Sequence, residues 1–430
     1  MTITSLRLRG AFPSRCSSGR SVLRRFDRGP VLALAFAAAA CDGSASGPDD
    51  LEPVRAFTQQ ELQVSSANTR FGLDLLRGVH ARAGEPNLLI SPLSASMALG
   101  MTLNGARAST WDAMRTALGF GGLAEGDINE AYRGLIAQLR ARDPRVEFTL
   151  ANSVWHENTF AVETPFLDAL RTYFDAQVTA LNFSDPSAPG IISRWAEDRT
   201  GGRIRNLIES IDPLEVMFLV NAVYFKAPWT APFEPNATGP APFTRSDGTT
   251  VQVATMIADR TRPFFRDAEV DGVELLYGDS AFGMVILLPG AGRSLDQLIA
   301  SLTPDQWRAW MDRLVPGRLM LRMPKFRFEF GTLLNDALRD MGMDVAFRPH
   351  VADFGRITRT RNDLYISRVQ HKTFIDVHEL GTEAAAATAV GIGVTSLPPS
   401  IVVDRPFLFA IRERSSGTLL FLGRVGAPGG

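Results

Sequence analysis

One twenty-residue segment near the carboxyl end restricts the fold of this chain more than any other feature. It covers residues 381–400 and reads GTEAAAATAVGIGVTSLPPS, with no charge after Glu383 and no aromatic side chain. Up to Val394 it alternates with a period of two, as a strand with one buried face does. The β-branched and small set is Thr382, Ala384, Ala386, Thr388, Val390, Ile392 and Val394. Pro398 and Pro399 follow and cannot continue a central strand. The segment is therefore predicted to be a loop whose sequence is also able to form a strand.

The body of the chain, residues 56–427, contains no linker, repeat or low-complexity stretch and is predicted to be one domain. Helical spacing dominates its first third, and runs rich in Val, Ile, Leu and Phe dominate the rest. Strands are predicted at 147–154, 216–225, 283–288, 318–330, 365–377, 407–411 and 419–425, and helices at 93–103, 165–173, 191–200, 295–310 and 333–341. Helices first and strands later indicate an α+β fold rather than a doubly wound sheet.

The composition excludes several classes of function. The 45 basic and 46 acidic residues are spread along the chain, so the sequence has no nucleic-acid footprint. The body has five histidines and no cysteine after Cys41, which excludes a disulfide framework and a structural zinc site. The sequence also lacks the G-x-S-x-G, S-x-x-K and H-E-x-x-H motifs of hydrolases. We therefore expect no metal, no cofactor and no enzymatic activity.

The first forty residues are interpreted as an export signal. Seven arginines precede an uncharged ten-residue run at 31–40, VLALAFAAAA, which is too short to span a bilayer as a helix. The sequence Ala-Ala-Ala-Cys at 38–41 resembles a bacterial lipobox, so Cys41 is the predicted lipid attachment site. An ordinary cleaved signal is the alternative. Residues 41–55 are predicted to be a flexible tether. The protein is expected to be exported, either as a membrane-tethered lipoprotein or free in the periplasm or outside the cell.

Five separated motifs in the body follow one another in an order that resembles the serpin family of serine protease inhibitors. They are SPLS at 91–94, NAVYFK at 221–226 followed by Trp229 and PF at 232–233, HKTF at 371–374, ELGTEA at 379–384 and VDRPFLF at 403–409. The resemblance covers nearly everything from about residue 56 to 427. It implies an α+β fold with three β-sheets, about eight to nine helices and an exposed reactive-centre loop.

The resemblance also implies a suicide-substrate mechanism. A target protease cuts the loop, the cut loop inserts into the main sheet of a metastable protein as a new strand, and the acyl-enzyme is trapped. The hinge comprises Glu379, Gly381, Thr382, Glu383, Ala384, Ala385, Ala386 and Ala387. Residues from Thr382 onward are expected to lie in solvent before cleavage. On the face that would be buried, the side chains are small and uncharged and can leave water at little cost; they are those of Thr382, Ala384, Ala386 and Thr388.

The reactive bond is placed by counting from the hinge. Glu379 to Thr395 is seventeen residues, which matches the family's usual distance and puts the cut between Thr395 and Ser396, with Val394–Thr395 as the alternative. A small β-branched residue suits the pocket of an elastase-like or subtilisin-like protease, with chymotrypsin-like proteases as a further option. It does not suit a trypsin-like pocket, which requires Arg or Lys.

Two further groups take their roles from the resemblance. Ser91, Ser94, Asn221 and His371 match a polar cluster under the centre of the main sheet, where strands part to admit the loop. Trp229 and Lys226 match the position where the loop begins to insert. The alternative function is a non-inhibitory carrier or chaperone with the same fold. A monomer is expected. No polyanion cofactor is expected, because segment 111–126 contains a single basic residue, Arg115.

Overall fold

A computed structural model describes residues 1–7, 53–382 and 398–429. Within these ranges there are nine α-helices: α1 Gln59–His80, α2 Pro92–Leu103, α3 Ala108–Ala117, α4 Glu125–Ala141, α5 Thr164–Phe174, α6 Ala188–Arg199, α7 Leu295–Ser301, α8 Pro304–Asp312 and α9 Asn335–Leu338. The first eight strands are β1 Thr2–Arg7, β2 Asn87–Ile90, β3 Glu147–Glu157, β4 Ala176–Leu181, β5 Glu215–Pro228, β6 Gly239–Thr244, β7 Thr250–Phe265 and β8 Val270–Tyr277. The other eight are β9 Phe282–Pro289, β10 Val315–Pro324, β11 Phe326–Leu333, β12 Tyr365–His378, β13 Gly381–Thr382, β14 Ser400–Val402, β15 Phe407–Glu413 and β16 Leu419–Val425.

The predicted α+β class is confirmed, and the long predicted strands fall within β3, β5, β12 and β16. Two predicted elements were wrong because each is split in two. The strand expected at 318–330 divides at Lys325, where the chain passes from β10, which pairs with β7 in the second sheet, to β11, which pairs with β12 in the main sheet. The helix expected at 295–310 divides before Pro304, which starts α8 with Thr303 as its N-cap.

The main sheet is seven-stranded. Its order across the sheet is β11, β12, then β13 and β1 sharing one position, then β5, β3 and β4. β1 and β13 are antiparallel to both β5 and β12, so those two long strands are parallel to each other. We call the position between β5 and β12 the slot.

The second sheet has nine strands in the order β14, β10, β7, β8, β9, β15, β16 and β2, with β6 added to β7. Along its length β7 pairs first with β6, then with β10 and finally with β8. It thereby joins two of the three sheets implied by the resemblance into one hydrogen-bonded array.

Both faces of the main sheet are covered. One face packs on the large core that includes α1, α2 and the second sheet. The other carries α6, whose Ile192 and Trp195 contact Phe218 and Val220 of β5 in a smaller cluster. No helix among the described residues is long and apolar enough to cross a membrane. The slot is therefore the centre of a sheet that is buried on both sides.

Candidate strand-insertion site

The hinge begins as a strand inside the main sheet. β12 ends at His378, the chain turns at Glu379 and Leu380, and β13 returns antiparallel to it. Thr382 lies opposite Val377 of β12 and Ala227 of β5. Its side chain is 3% exposed, and its hydroxyl lies 2.6 Å from the Tyr277 hydroxyl. The expectation that Thr382 starts in solvent was wrong, since the upper end of the slot is already occupied by the first two residues of this segment.

Gly381 is required for this return. Its φ is +149°, and a Cβ at this position would lie 2.1 Å from the carbonyl oxygen of Ala227. No side chain fits so close to backbone, so a glycine allows β13 to approach β5. The turn thus directs the chain into the slot.

Trp229 packs against the turn between β12 and β13 and is hydrogen-bonded to it. Its ring is 1% exposed and stacks on Tyr277 with centroids 4.3 Å apart. Its indole N–H donates to the carbonyl oxygen of His378, and its backbone N–H donates to that of Leu380, each at 2.9 Å. Lys226, predicted to lie beside it, instead forms an ion pair with Glu147 on β3, with 3.1 Å between Nζ and Oε2. The structure therefore places Trp229 at the hinge and Lys226 on the opposite edge of β5.

The lysine at the hinge is Lys325, which the sequence analysis missed. Its Nζ lies 3.0 Å from Oε2 of Glu379. Burial acts to raise the pKa of Glu379, but its hydrogen bonds and the nearby Lys325 ammonium outweigh burial and lower that pKa. Glu379 is thus held as a carboxylate that fixes the turn to the junction of β10 and β11.

The four residues of the predicted polar cluster lie together beneath the middle of the slot. Ser91, Ser94, Asn221 and His371 are all fully buried. Ser91 is the N-cap of α2, and its hydroxyl accepts from the Ser94 N–H at 3.2 Å and donates to the carbonyl oxygen of Leu420 at 2.7 Å. This arrangement attaches the start of α2 to β16 of the second sheet.

Asn221 and His371 lie on the two strands that bound the slot. Asn221 donates through Nδ2 to Oδ1 of Asn152 at 2.8 Å, and Asn152 donates to the carbonyl oxygen of Phe174 at 2.7 Å. Asn152, on β3, extends the cluster and was not predicted. Asparagine side chains are unusual inside a strand with buried neighbours, and this would have been the signal for it.

The protonation of His371 follows from its partners. Nε2 accepts the Ser91 backbone N–H at 3.0 Å, so Nδ1 carries the proton and donates to the Thr2 hydroxyl at 2.7 Å. Burial lowers the pKa of His371 well below its usual value. The imidazole is therefore neutral and satisfied on both nitrogens.

The lower part of the slot is filled by the first residues of the chain. β1 pairs antiparallel with β12 and with β5, and Thr2 lies opposite both His371 and Asn221. Residues 1–40 were interpreted as an export signal, and nothing in that interpretation predicted a strand here. Among the described residues, the space between Thr382 and Met1 is lined by residues 223–225 of β5 and 373–375 of β12.

Several predicted residues lie outside the described ranges. They are Glu383, Ala384, Ala385, Ala386, Ala387, Val394, Thr395, Ser396 and Cys41. The described chain resumes at Pro398, and β14 pairs in parallel with β10, with Ser400 opposite Met320. The segment predicted to hold the reactive bond is thus anchored to the main sheet at one end and to the second sheet at the other.

Comparisons with known proteins agree with this geometry. A family model described as Serpin (serine protease inhibitor) matches residues 66–428. Serpin A3-3 of Bos taurus is 35% identical over 373 residues, covering 85% of this chain and 89% of the relative. Leukocyte elastase inhibitor of Sus scrofa is 34% identical over 381 residues, covering 85% and 100%. The crystal structure of human thyroxine-binding globulin complexed with thyroxine superposes with a TM-score of 0.79 at 30% identity, covering 86% and 100%.

Proposed function

Because the chain belongs to the serpin family, we propose that it inhibits serine proteases by the suicide-substrate mechanism. The protease cleaves near Thr395–Ser396, and the rest of the segment up to Val394 then follows Thr382 into the slot while the acyl bond is intact. The family places the chain among protease inhibitors rather than among enzymes.

One observation carries this proposal: Gly381–Thr382 already form the first pairs of a strand between β5 and β12. Insertion would extend an existing ladder, so no new strand needs to be nucleated. The two bounding strands are parallel to each other, and a returning segment would pair antiparallel with both. Antiparallel pairing on two sides satisfies every backbone N–H and C=O of the inserted residues.

The target class follows from the residue at the predicted bond. Thr395 is small and β-branched, which suits an elastase-like or subtilisin-like pocket. One relative is named for leukocyte elastase, which supports the same class for this chain. The Val394–Thr395 alternative leads to the same targets.

The site of action is part of the proposal. We retain export, a tether at 41–55 and Cys41 as the lipid attachment site, with the serpin domain acting as a monomer on proteases outside the cytoplasm. The basic leader, the short apolar run and the cysteine that follows support this location.

The test is a panel of elastase-, subtilisin-, chymotrypsin- and trypsin-like proteases added to the exported protein. An elastase- or subtilisin-like protease should give a covalent complex that survives denaturing electrophoresis, and intact mass should place the cut after Thr395. T395R should move complex formation to trypsin-like proteases. Two fragments without any complex, from every protease, would contradict inhibition.

The carrier alternative is favoured by one similarity, the fold shared with human thyroxine-binding globulin. The same panel separates the two functions, because a carrier would be cleaved without trapping the protease. The small, uncharged residues from Ala384 to Thr388 support the inhibitor.

A further inference from the structure

We propose that residues 1–7 are an intramolecular plug of the slot, so that a chain that keeps its leader does not inhibit until those residues are removed. This rests on the proposed function, because the plug acts by excluding the loop from the slot. The leader would then do more than direct export: its removal would also activate the protein.

The register shows that β1 occupies the loop's place. Thr382 lies opposite Val377 and Ala227, and six residues further along the same register a loop residue would face His371 and Asn221. That residue is 388, and in the structure Thr2 faces both partners. The correspondence continues residue by residue along β5, so that Leu6 occupies the position that residue 392 of the inserted loop would take.

The leader strand also matches the loop in its side chains. TITSL at 2–6 stands where TAVGI at 388–392 would stand. Thr2 points to His371, Leu6 lies in the large core, and by alternation Thr4 shares their face. On the face that enters the core, the leader therefore has Thr2, Thr4 and Leu6. The loop would have Thr388, Val390 and Ile392 at the same positions.

The opposite face of β1 packs under α6. Met1 and Ile3 are each 1% exposed and belong to the cluster of Ile192, Trp195 and Phe218. Both faces of the strand are thus buried, and its removal would expose apolar surface on two sides.

The plug makes hydrogen bonds that the loop cannot make. The Ser5 hydroxyl donates to Oε1 of buried Glu215 at 2.8 Å and contacts the Ser367 hydroxyl. At the equivalent position the loop has Gly391, which lacks a hydroxyl. Arg7 forms an ion pair with Asp212 at the lower end of the slot. These contacts favour the leader over the loop in the lower half of the slot.

The test compares full-length chains kept in the cytoplasm of the host, with intact mass confirming that residues 1–7 are present. I3D places a carboxylate in the cluster under α6 and should disengage β1. I191D, at a residue 42% exposed on α6, is the matched control. With an elastase-like protease, I3D should give at least tenfold more covalent complex than the parent chain, and I191D should not.

Two further measurements keep the outcomes separate. Amide exchange along β5 and β12 should be faster in I3D than in the parent chain, and a synthetic peptide of residues 2–7 should reverse both the exchange and the gain in complex. A scrambled peptide should do neither. Equal exchange and equal complex yield in parent and I3D would overturn the plug while leaving inhibition standing. Faster exchange in I3D without complex from any chain would support the plug and contradict the proposed function.

Discussion

Single buried residues decide whether the two strands around the slot can separate. His371 is neutral because both ring nitrogens are hydrogen-bonded in a fully buried site, where a charge would be costly. In an unfolded chain the same ring titrates near its ordinary pKa of about 6.5. The unfolded chain therefore binds a proton that the folded protein does not.

This difference predicts acid sensitivity between about pH 6.5 and 5. As the pH falls below 6.5, protonation favours the unfolded state, and the free energy of unfolding should decrease by up to about 1.4 kcal/mol per pH unit. The urea midpoint of the chain that keeps residues 1–7, measured across this range, reports the loss. H371Q should flatten the dependence, while H156Q, at a half-buried residue of β3, should retain it. An unchanged slope in H371Q would contradict this role.

Sequence patterns predicted the elements of this fold better than their breaks and pairings. Strands such as β12 were found because β-branched and aromatic residues persist for most of their length. The breaks at Lys325 and Pro304 were missed because apolar periodicity continues across both. Pairing across the chain was harder still: Glu379 and Lys325 are 54 positions apart, and no local signal joins them.

The leader shows the same limit for the candidate site. Motifs singled out Ser91, Ser94, Asn221 and His371, which lie together under the slot, and Trp229, which lies at the hinge. The roles assigned to these residues stay predictions. A strand at 2–7 was not predicted, because TITSLR is short and lies within a segment with the composition of an export signal. Its alternation becomes meaningful only when the two strands that receive it are known.

We expect the short strand β13 to be needed for trapping the protease, and one substitution in it tests this. T382R would place a guanidinium against Tyr277 inside the large core, at a cost of several kcal/mol. In the exported protein, T382R should leave the cleavage rate by an elastase-like protease unchanged within about twofold. It should also lower the yield of covalent complex at least tenfold. Gel densitometry of complex against cleaved product measures this partition.

The matched control is T250R, the same substitution at an exposed residue that starts β7. It should form complex like the parent protein. Full complex formation by T382R would show that β13 does not lead the loop into the slot.

Insertion of the cut loop would complete the main sheet once residues 1–7 have left the slot. Val390, Ile392 and the smaller residues of the same set would leave water, which contributes on the order of 10 kcal/mol together with the new ladders. For a domain of this size that corresponds to a rise in melting temperature on the order of 10 °C or more. Exported protein, nicked at the reactive bond, should therefore melt at least 10 °C above the uncut form in a calorimetric scan, and nicked T382R should show little of this gain. A nicked parent protein that melts with the uncut form would contradict insertion, because a severed segment left in solvent adds no contacts to the folded state.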